Sequence, residues 1–265
     1  MSSYNVQSQK AIGILDSGVG GLTVLKKLVE YLPEENYLYY GDTKNLPYGN
    51  KTPEQLLGYV RNILDFFSKQ NVKAVVFGCN TTAAVVYDIV KNEYPFKIYP
   101  IIQDSCKNIN PLQYKSLGVF ATQATVNSKA YTKSLKNINN DLEVIEMACP
   151  MWVNFVENSE INTEKCSENV KEMLDNMQQH KVEKIILGCT HYPYLLDTLS
   201  KFLPKERFIN PAEVFALYIK QDLQEQNILN TNNIGSQKFF VSSNPIAFKK
   251  SGEFFYPLKD YPTLV

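Results

Sequence analysis

Short apolar runs alternate with amphipathic segments along most of the chain. Residues 12–15 (IGIL), 37–40 (YLYY) and 74–77 (AVVF) have the length and the β-branched or aromatic content of buried strands. Between them, residues 53–70 repeat apolar positions at helical spacing, and a proline stands first in that segment. The apolar positions of this segment are Leu56, Val60, Ile63, Leu64 and Phe67. The alternation predicts an α/β fold of mainly parallel sheets flanked by helices.

The pattern restarts in the second half of the chain. Residues 117–125 (LGVFATQAT) repeat the form of residues 12–20 (IGILDSGVG), and aligning the two stretches sets Ala121 opposite Asp16. In each half, a second apolar run ending in Gly-Cys follows at a similar distance. This repetition indicates an internal duplication, and therefore two pseudo-symmetric domains with a cleft between them.

The remaining segments suggest where these domains divide. The last part of the chain should pack back onto the first half, which makes the first domain discontinuous. We therefore expect a first domain of residues 1–100 plus 212–265 and a second domain of residues 101–211. The other predicted elements are helices at 22–32, near 81–93 and at 213–224, strands at 98–102 and 238–243, and a short terminal helix.

Two cysteines occupy matched positions in the two halves. Cys79 follows the run KAVVFG and Cys189 follows EKIILG, each where a strand should end and a helix begin. Backbone N–H groups and the helix dipole at such a corner favour negative charge, so we expect a thiol pKa lowered toward neutrality. The other three, Cys106, Cys149 and Cys166, are interpreted as small buried hydrophobic residues. Two opposed thiols could move a proton from one face of a carbon to the other.

Polar residues follow both thiols. Asn80 and Thr81 on one side, and Thr190 and His191 on the other, supply donors that suit a carboxylate ligand. Asn and Thr at these positions could equally serve as helix caps, and the two roles are compatible. His191 could tune or protonate Cys189, or it could be a structural donor.

Two loops add candidate contacts. Asp16 ends the first strand, where α/β proteins bind ligands, and could hold an ammonium group or assist a base, although a turn-forming role is also open. Glycines in its DSGVGG loop (16–21) allow positive φ and close approach to a ligand. The loop lacks the third glycine of a dinucleotide motif, and the chain has no Walker lysine, so a nucleotide site is not expected. The loop 40–49 contributes Tyr48 and Gly49.

Composition excludes several classes of protein. The 27 basic residues balance the 27 acidic ones, which argues against binding to nucleic acid or to an anionic membrane. No signal peptide or membrane-length apolar run is recognisable, which predicts a cytoplasmic protein. The five scattered cysteines include no CxxC pair and there are only two histidines, so we expect free thiols and no metal site.

These motifs together resemble those of the glutamate racemases, within the cofactor-independent aspartate/glutamate racemase superfamily. The resemblance extends in order over nearly the whole chain and is specific only as a set. The motifs that carry it are ILDSGVGGLTV (14–24), YYGDTKNLPYG (39–49), GCNTTAA (78–84), ATQATVNSKAY (121–131), CPMWVNFVE (149–157), LGCTHYPYL (187–195) and FFVSSNPIAFKK (239–250).

The resemblance implies interconversion of L- and D-glutamate without a cofactor, with D-glutamate supplied to peptidoglycan synthesis. Cys79 and Cys189 would be the two acid/base groups, and Asp16 and His191 would each assist the nearer thiol. The partner would be a small-molecule substrate, and a homodimer is left open. The residues implied to bind substrate are Asp16, Ser17, Tyr48, Gly49, Asn80, Thr81, Thr122, Thr190 and His191, with Glu157 as a helper.

The chain departs from the family pattern at several positions, none of them a thiol. Thr82 and Ala83 replace alanine and serine, Gln103-Asp104 replaces Glu-Pro, Ala124 replaces a frequent glycine, and Asn210 replaces an acidic or hydroxyl residue. These changes concern the shape of the cleft and any allosteric behaviour. The alternatives are an aspartate racemase or related isomerase, a non-catalytic two-lobed carboxylate sensor, and a thiol redox protein.

Overall fold

A computed structural model describes residues 6–231 and 234–265. In these residues the strands form two entirely parallel sheets. The strands are β1 (Ile12–Asp16), β2 (Tyr37–Gly41), β3 (Ala74–Phe77), β4 (Lys97–Pro100), β5 (Ser116–Ala121), β6 (Glu143–Ala148), β7 (Lys184–Gly188), β8 (Phe208–Ile209), β9 (Gln237–Val241) and β10 (Thr263–Leu264).

Helices connect successive strands and cover both sheets. The α-helices are α1 (Val6–Gln9), α2 (Leu22–Tyr31), α3 (Pro53–Lys69), α4 (Asn80–Val85), α5 (Tyr87–Val90), α6 (Ile101–Asn108), α7 (Gln123–Ser128), α8 (Ala130–Lys136), α9 (Trp152–Glu157), α10 (Glu164–Gln178), α11 (Leu196–Leu199), α12 (Pro211–Glu225) and α13 (Pro245–Gly252). Short 3-10 helices lie at Tyr48–Asn50, Pro111–Gln113, Tyr192–Leu195 and Lys205–Arg207. Within the described part of the chain, no helix has both the length and the apolar character required to cross a membrane.

The two sheets repeat one strand order. The first sheet runs β10-β9-β2-β1-β3-β4 and the second runs β6-β5-β7-β8. In both, the first strand of the half lies between the second and the third, so β1 corresponds to β5 and β3 to β7. The predicted α/β class with two pseudo-symmetric halves is therefore confirmed, and Cys79 and Cys189 follow equivalent strands.

The predicted long helix shows how local sequence fixes an element. Thr52 and Gln55 form a reciprocal capping box at the start of α3, and Pro53 occupies its first turn. The apolar stripe of α3 is buried against the first sheet, and Phe67 lies so close to Gly13 that a Cβ there would approach the ring to 2.8 Å. The missing side chain in β1 thus makes room for the helix.

Two predicted elements differ from the structure, and one strand of the tail was not predicted. The strand at 98–102 ends at Pro100, and the buried residues Ile101 and Ile102 open α6 instead of continuing the strand. The helix near 81–93 is two short helices, because the backbone departs from helical geometry at Val86. The tail also contains β10, which the sequence pattern does not predict, beyond the terminal helix α13.

The tail of the chain joins the first sheet. Strand β9 pairs with β2 along its full length, and β10 extends the same edge. Helix α12 packs against both α2 and α6. The exact domain bounds stay a prediction, and residues 1–5 and 232–233 of the proposed first domain lie outside the described residues.

Candidate active site

The carboxyl ends of the two sets of strands face one cavity. Its enclosed volume is about 40 Å³, well below the roughly 300–1,000 Å³ typical of small-molecule sites, so the cleft is narrow. Both Cys79 and Cys189 line it, and they are 5% and 6% exposed. The other predicted site residues that line this cavity are Ser17, Tyr48, Gly49, Asn80, Thr81, Thr122, Thr190 and His191.

Cys79 lies between β3 and α4, as predicted, and is the residue immediately before the helix. Burial raises the pKa of its thiol to about 12, and the nearby Asp16 carboxylate adds to this. The backbone N–H and hydroxyl of Thr82 oppose the shift and are outweighed. The expected lowering of this pKa is therefore wrong, because removing the thiolate from water costs more than one short helix terminus returns.

Cys189 follows β7, but no helix begins directly after it. A four-residue 3-10 helix starts only at Tyr192. The prediction that a helix begins immediately after Cys189 is therefore wrong. Its nearest polar partner is His191, whose Nδ1 lies 3.8 Å from Sγ. The two thiols thus occupy equivalent strand ends with different electrostatic surroundings.

His191 links Cys189 to a carboxylate. Its Nε2 lies 2.6 Å from Glu157 Oε1, on the side of the ring opposite to the thiol. Burial opposes protonation, but the hydrogen bonds with Cys189 and Glu157 raise the pKa of His191 well above its ordinary value. A protonated imidazole can donate a proton to the Cys189 sulfur when that sulfur is a thiolate, and Glu157 holds the ring in place. Glu157 itself lies behind the cavity wall and contacts it through His191.

Asp16 also lies behind the wall. It is fully buried at the end of β1, where Oδ1 accepts a hydrogen bond from Gly18 N (3.0 Å) and Oδ2 accepts one from Thr190 Oγ1 (3.1 Å). Burial raises the pKa of Asp16, against the opposing effects of His191 and of these hydrogen bonds. Asp16 is therefore close enough to Cys79 to affect its charge without lining the cavity.

The glycine loop fits against protein side chains. None of the glycines in the described residues has a positive φ, so this loop does not use the left-handed backbone that glycine allows. A Cβ at Gly20 would lie 2.5 Å from His191 Nδ1 and from Thr190 Oγ1, and one at Gly21 would lie 2.5 Å from Asp16 Cβ. Small residues are needed because the loop packs directly on side chains of both halves of the site.

Hydrogen bonds between side chains join the two halves across the cleft. Thr81 Oγ1 lies 2.9 Å from Thr122 Oγ1, which also caps α7. Tyr131 Oη donates to Asn80 Oδ1 at 2.7 Å. Together with the bond from Thr190 to Asp16, these contacts link residues that flank each thiol. The relative position of the two thiols is thereby fixed by side chains at the cavity itself.

Asp42 is a buried carboxylate that the sequence did not predict. It holds the outer wall of the cavity, which is the loop that carries Tyr48 and Gly49. Asp42 accepts hydrogen bonds from Tyr48 Oη (2.6 Å), Asn45 Nδ2 (2.9 Å) and Ser242 Oγ (2.6 Å). The hydroxyl of Tyr48 is therefore engaged by Asp42, while Gly49 beside it packs against Thr122. The only signal for Asp42 was its place in the GDT motif.

Other wall residues were also missed. Cys149 was interpreted as a hydrophobic core residue, and it lines the cavity although it is fully buried. Cys149 begins the motif CPMWVNFVE, which is one of those that carry the resemblance. The sequence assigned no role to the first residues of that motif. The remaining unpredicted lining residues are Leu46, Pro47, Asn50, Gln123, Pro150, Val153, Asn154 and Tyr192.

Two departures from the family pattern lie behind the Cys79 corner. Thr82 is fully buried beside the thiol, and Gln103 Nε2 donates to Ala83 O at 3.2 Å. These two departures therefore concern the contacts that hold α4 in place. Across residues 6–231 and 234–265, no group of three or more His, Cys, Asp or Glu side chains could hold a metal ion.

Two duplicated parallel sheets each bring one thiol to a shared cleft, and this arrangement is typical of the α/β racemases. The family described as Asp/Glu/Hydantoin racemase matches residues 12–218, and the chain belongs to it. Among its relatives, the glutamate racemase of Carboxydothermus hydrogenoformans is 40% identical over 92% of this chain and 91% of its own length. That of Thermoanaerobacter sp. is 38% identical over 92% of both chains.

The fold agrees with that of a solved relative. The structure of glutamate racemase from Francisella tularensis in complex with D-glutamate superposes with a TM-score of 0.90, 30% identity and coverage of 97% of this chain and 98% of that one. The chain is thus an enzyme of the racemase family that groups with the glutamate racemases.

Proposed function

We propose that this protein interconverts L- and D-glutamate by a two-base proton transfer between Cys79 and Cys189, without a cofactor. The observation that carries the proposal is that both thiols line one cavity, each at the end of an equivalent strand. The relatives that are 37–40% identical over most of the chain are glutamate racemases, and a structural relative was solved with D-glutamate. These similarities support glutamate as the substrate.

The reaction needs one thiolate and one thiol. The thiolate takes the α-hydrogen as a proton, the electron pair stays on the α-carbon and delocalises into the adjacent carboxylate, and the opposite S–H protonates the other face. Each turnover therefore exchanges the protonation states of Cys79 and Cys189. Because the pKa of Cys79 is raised to about 12, the resting site at neutral pH carries Cys79 as the thiol. His191 lies in contact with Cys189 and can supply or remove its proton.

The substrate carboxylates need hydrogen-bond donors that are already oriented toward them. Asn80 lines the cavity, is 2% exposed, and its Nδ2 has no protein partner. Thr81 and Thr122 also line the cavity, with their hydroxyl oxygens 2.9 Å apart. We assign these groups, with Ser17 and Thr190, to the substrate carboxylates and amine.

The test is racemisation in deuterated water. Purified protein incubated with either glutamate enantiomer should form the other enantiomer with deuterium at the α-carbon. Chiral chromatography and mass spectrometry measure this product. Cys79→Ala and Cys189→Ala should each abolish racemisation. Cys166→Ala is the matched control: this buried thiol lies outside the cavity, so its loss should lower stability and leave racemisation in place.

Three outcomes would contradict the proposal. Full activity in either alanine variant would exclude the two-base mechanism. Faster racemisation of aspartate than of glutamate would make the protein an aspartate racemase. Tight glutamate binding without deuterium exchange would indicate a carboxylate sensor.

We further propose a cytoplasmic enzyme whose D-glutamate enters peptidoglycan synthesis. Association as a homodimer stays a prediction that gel filtration can check.

A further inference from the structure

Tyr131 contacts both thiol corners of the site without lining the cavity. It belongs to α8, is fully buried, and its hydroxyl donates to Asn80 Oδ1, the residue after Cys79. Its ring packs against Gly188, the residue before Cys189, where a Cβ would come within 2.8 Å of ring atom Cε2. One side chain from the second half thus touches the neighbours of both cysteines.

The hydrogen bond from the Tyr131 hydroxyl to Asn80 determines which end of the Asn80 carboxamide is free to bind a ligand. Because the phenol donates to Oδ1, the Nδ2 group is the end left over, and it is buried without a protein partner. Asn80 lines the cavity, so this amide can donate to a ligand there. The reversed carboxamide would present an oxygen to an anionic substrate, which would repel it.

The phenol is suited to act as a permanent donor. Burial raises the pKa of Tyr131 well above its ordinary value, and Cys106, Cys189 and Glu146 add to the effect. The hydroxyl therefore keeps its proton at neutral pH. Its ring cannot move away easily, because Gly188 and the surrounding core fix it from behind.

We infer that Tyr131 is a positioning residue, which orients Asn80 Nδ2 toward the substrate carboxylate while it supports the backbone at Cys189. This inference rests on the proposed glutamate racemisation for its kinetic consequence. The orientation of Asn80 is a structural consequence that does not depend on the identity of the substrate.

Tyr131→Phe removes the hydroxyl and keeps the ring. Since one hydrogen bond is worth a factor of a few to about ten, we expect KM for both glutamate enantiomers to rise about three- to tenfold. The Asn80 donor contacts the substrate before and during proton transfer, so kcat should change by less than about twofold. An unchanged KM would overturn the inference.

A double-mutant cycle separates positioning from a general structural effect. In an Asn80→Ala background, Tyr131→Phe should have no further effect on KM, because the group it orients is gone. The same fold-increase in both backgrounds would overturn the inference. Tyr37→Phe is the control: Tyr37 is buried, its hydroxyl donates to Leu28 O and Leu32 O, and it does not line the cavity. It should lower Tm and leave KM unchanged.

Crystal structures of the wild-type protein and Tyr131→Phe give a readout that is independent of activity. The Asn80 carboxamide should rotate or become disordered in the variant, while Gly188 and the ring of residue 131 stay in place. An Asn80 side chain that keeps its orientation would overturn the inference even where glutamate is racemised. Absence of wild-type racemisation would instead refute the proposed function and leave this structural comparison decisive for Tyr131.

Discussion

The Thr190 hydroxyl donates to the Asp16 carboxylate across the cleft at 3.1 Å. Thr190 follows Cys189, whereas the Asp16 carboxylate acts on the charge of Cys79. A single hydrogen bond therefore connects the surroundings of the two thiols. It is formed between residues 174 positions apart, which only the duplicated fold brings together.

Removal of this hydrogen bond should shift the acid limb of the pH profile. Burial raises the pKa of Asp16, and the Thr190 hydroxyl is among the groups that lower it. In Thr190→Val the pKa of Asp16 should rise further, so kcat/KM should fall at a higher pH than in wild type. The measurement is kcat/KM from pH 5 to 9.

Thr198→Val is the control for this variant. Thr198 is a buried threonine of the same half whose hydroxyl donates to Ile161 O, outside the cavity. Its profile should superpose on that of wild type. An acid limb in Thr190→Val that coincides with wild type would show that the bond does not set the charge of Asp16.

Glu157 should control the alkaline side of the profile. Hydrogen bonds with Cys189 and Glu157 outweigh burial and raise the pKa of His191. Glu157→Gln keeps a hydrogen-bonding group of similar shape and removes the charge, so the pKa of His191 should fall and the alkaline limb should move to lower pH. Imidazole NMR signals and kcat/KM against pH both report this change.

The same substitution should change stability in a defined pH window. A histidine whose pKa is raised in the folded state stabilises the fold fully below its unfolded pKa of about 6.5, and this contribution is lost as the pH rises through the folded value. The stability difference between wild type and Glu157→Gln should therefore be largest below about pH 6.5 and should shrink at higher pH. Glu172→Gln, at an exposed site on α10, should show no such dependence. A pH-independent difference would contradict the assignment.

Asp42 should stabilise both the fold and the cavity wall. It is 2% exposed and accepts hydrogen bonds from three side chains. Asp42→Asn removes the charge and cannot satisfy all three donors, so we expect a loss of about 2–4 kcal/mol in unfolding free energy and a higher KM. Tyr48→Phe, which removes one of these donors, should cost less. Denaturant unfolding measures both variants, and an equal or larger loss in Tyr48→Phe would contradict the role of Asp42.

Gly20 and Gly58 form a matched pair of glycines. A Cβ at Gly20 would lie 2.5 Å from His191 Nδ1 and from Thr190 Oγ1, whereas a Cβ at Gly58 in α3 meets nothing within 4 Å. Gly20→Ala should displace His191 and lower kcat by at least about tenfold, because small misplacements of acid/base groups are costly. Gly58→Ala should stabilise the helix by roughly 0.5–1 kcal/mol with normal kinetics. Normal kcat in Gly20→Ala would show that the loop can move without affecting the site.

The positions of the two thiols in the fold could be predicted from local sequence. A β-branched run that ends in Gly-Cys occurs once in each half, so the strand ends near Cys79 and Cys189 could be predicted from pattern alone. The capping box at Thr52 likewise specified the start of α3. The contact between Thr81 and Thr122 joins the ends of β3 and β5, which are not equivalent strands, so the internal repeat did not predict it.

Other features depend on contacts between distant residues and leave no local signal. The roles of Asp42 and Tyr131 come from partners far away in sequence, Ser242 and Asn80. The raised pKa of Cys79 results from its burial in the folded molecule, which helix-terminus reasoning cannot include. The end of β4 at Pro100 was missed because Ile101 and Ile102 are equally apolar in a strand and in a buried helix.

The pairing of β9 with β2 has a consequence for biosynthesis. Ser242 directly follows β9 and supplies one of the hydrogen bonds to Asp42, whereas every residue that lines the cavity lies before position 193. A nascent polypeptide therefore exposes both thiols and all the walls of the site to the cell before the segment that anchors the outer wall has left the ribosome. Maturation of this enzyme should be complete only after translation has passed β9.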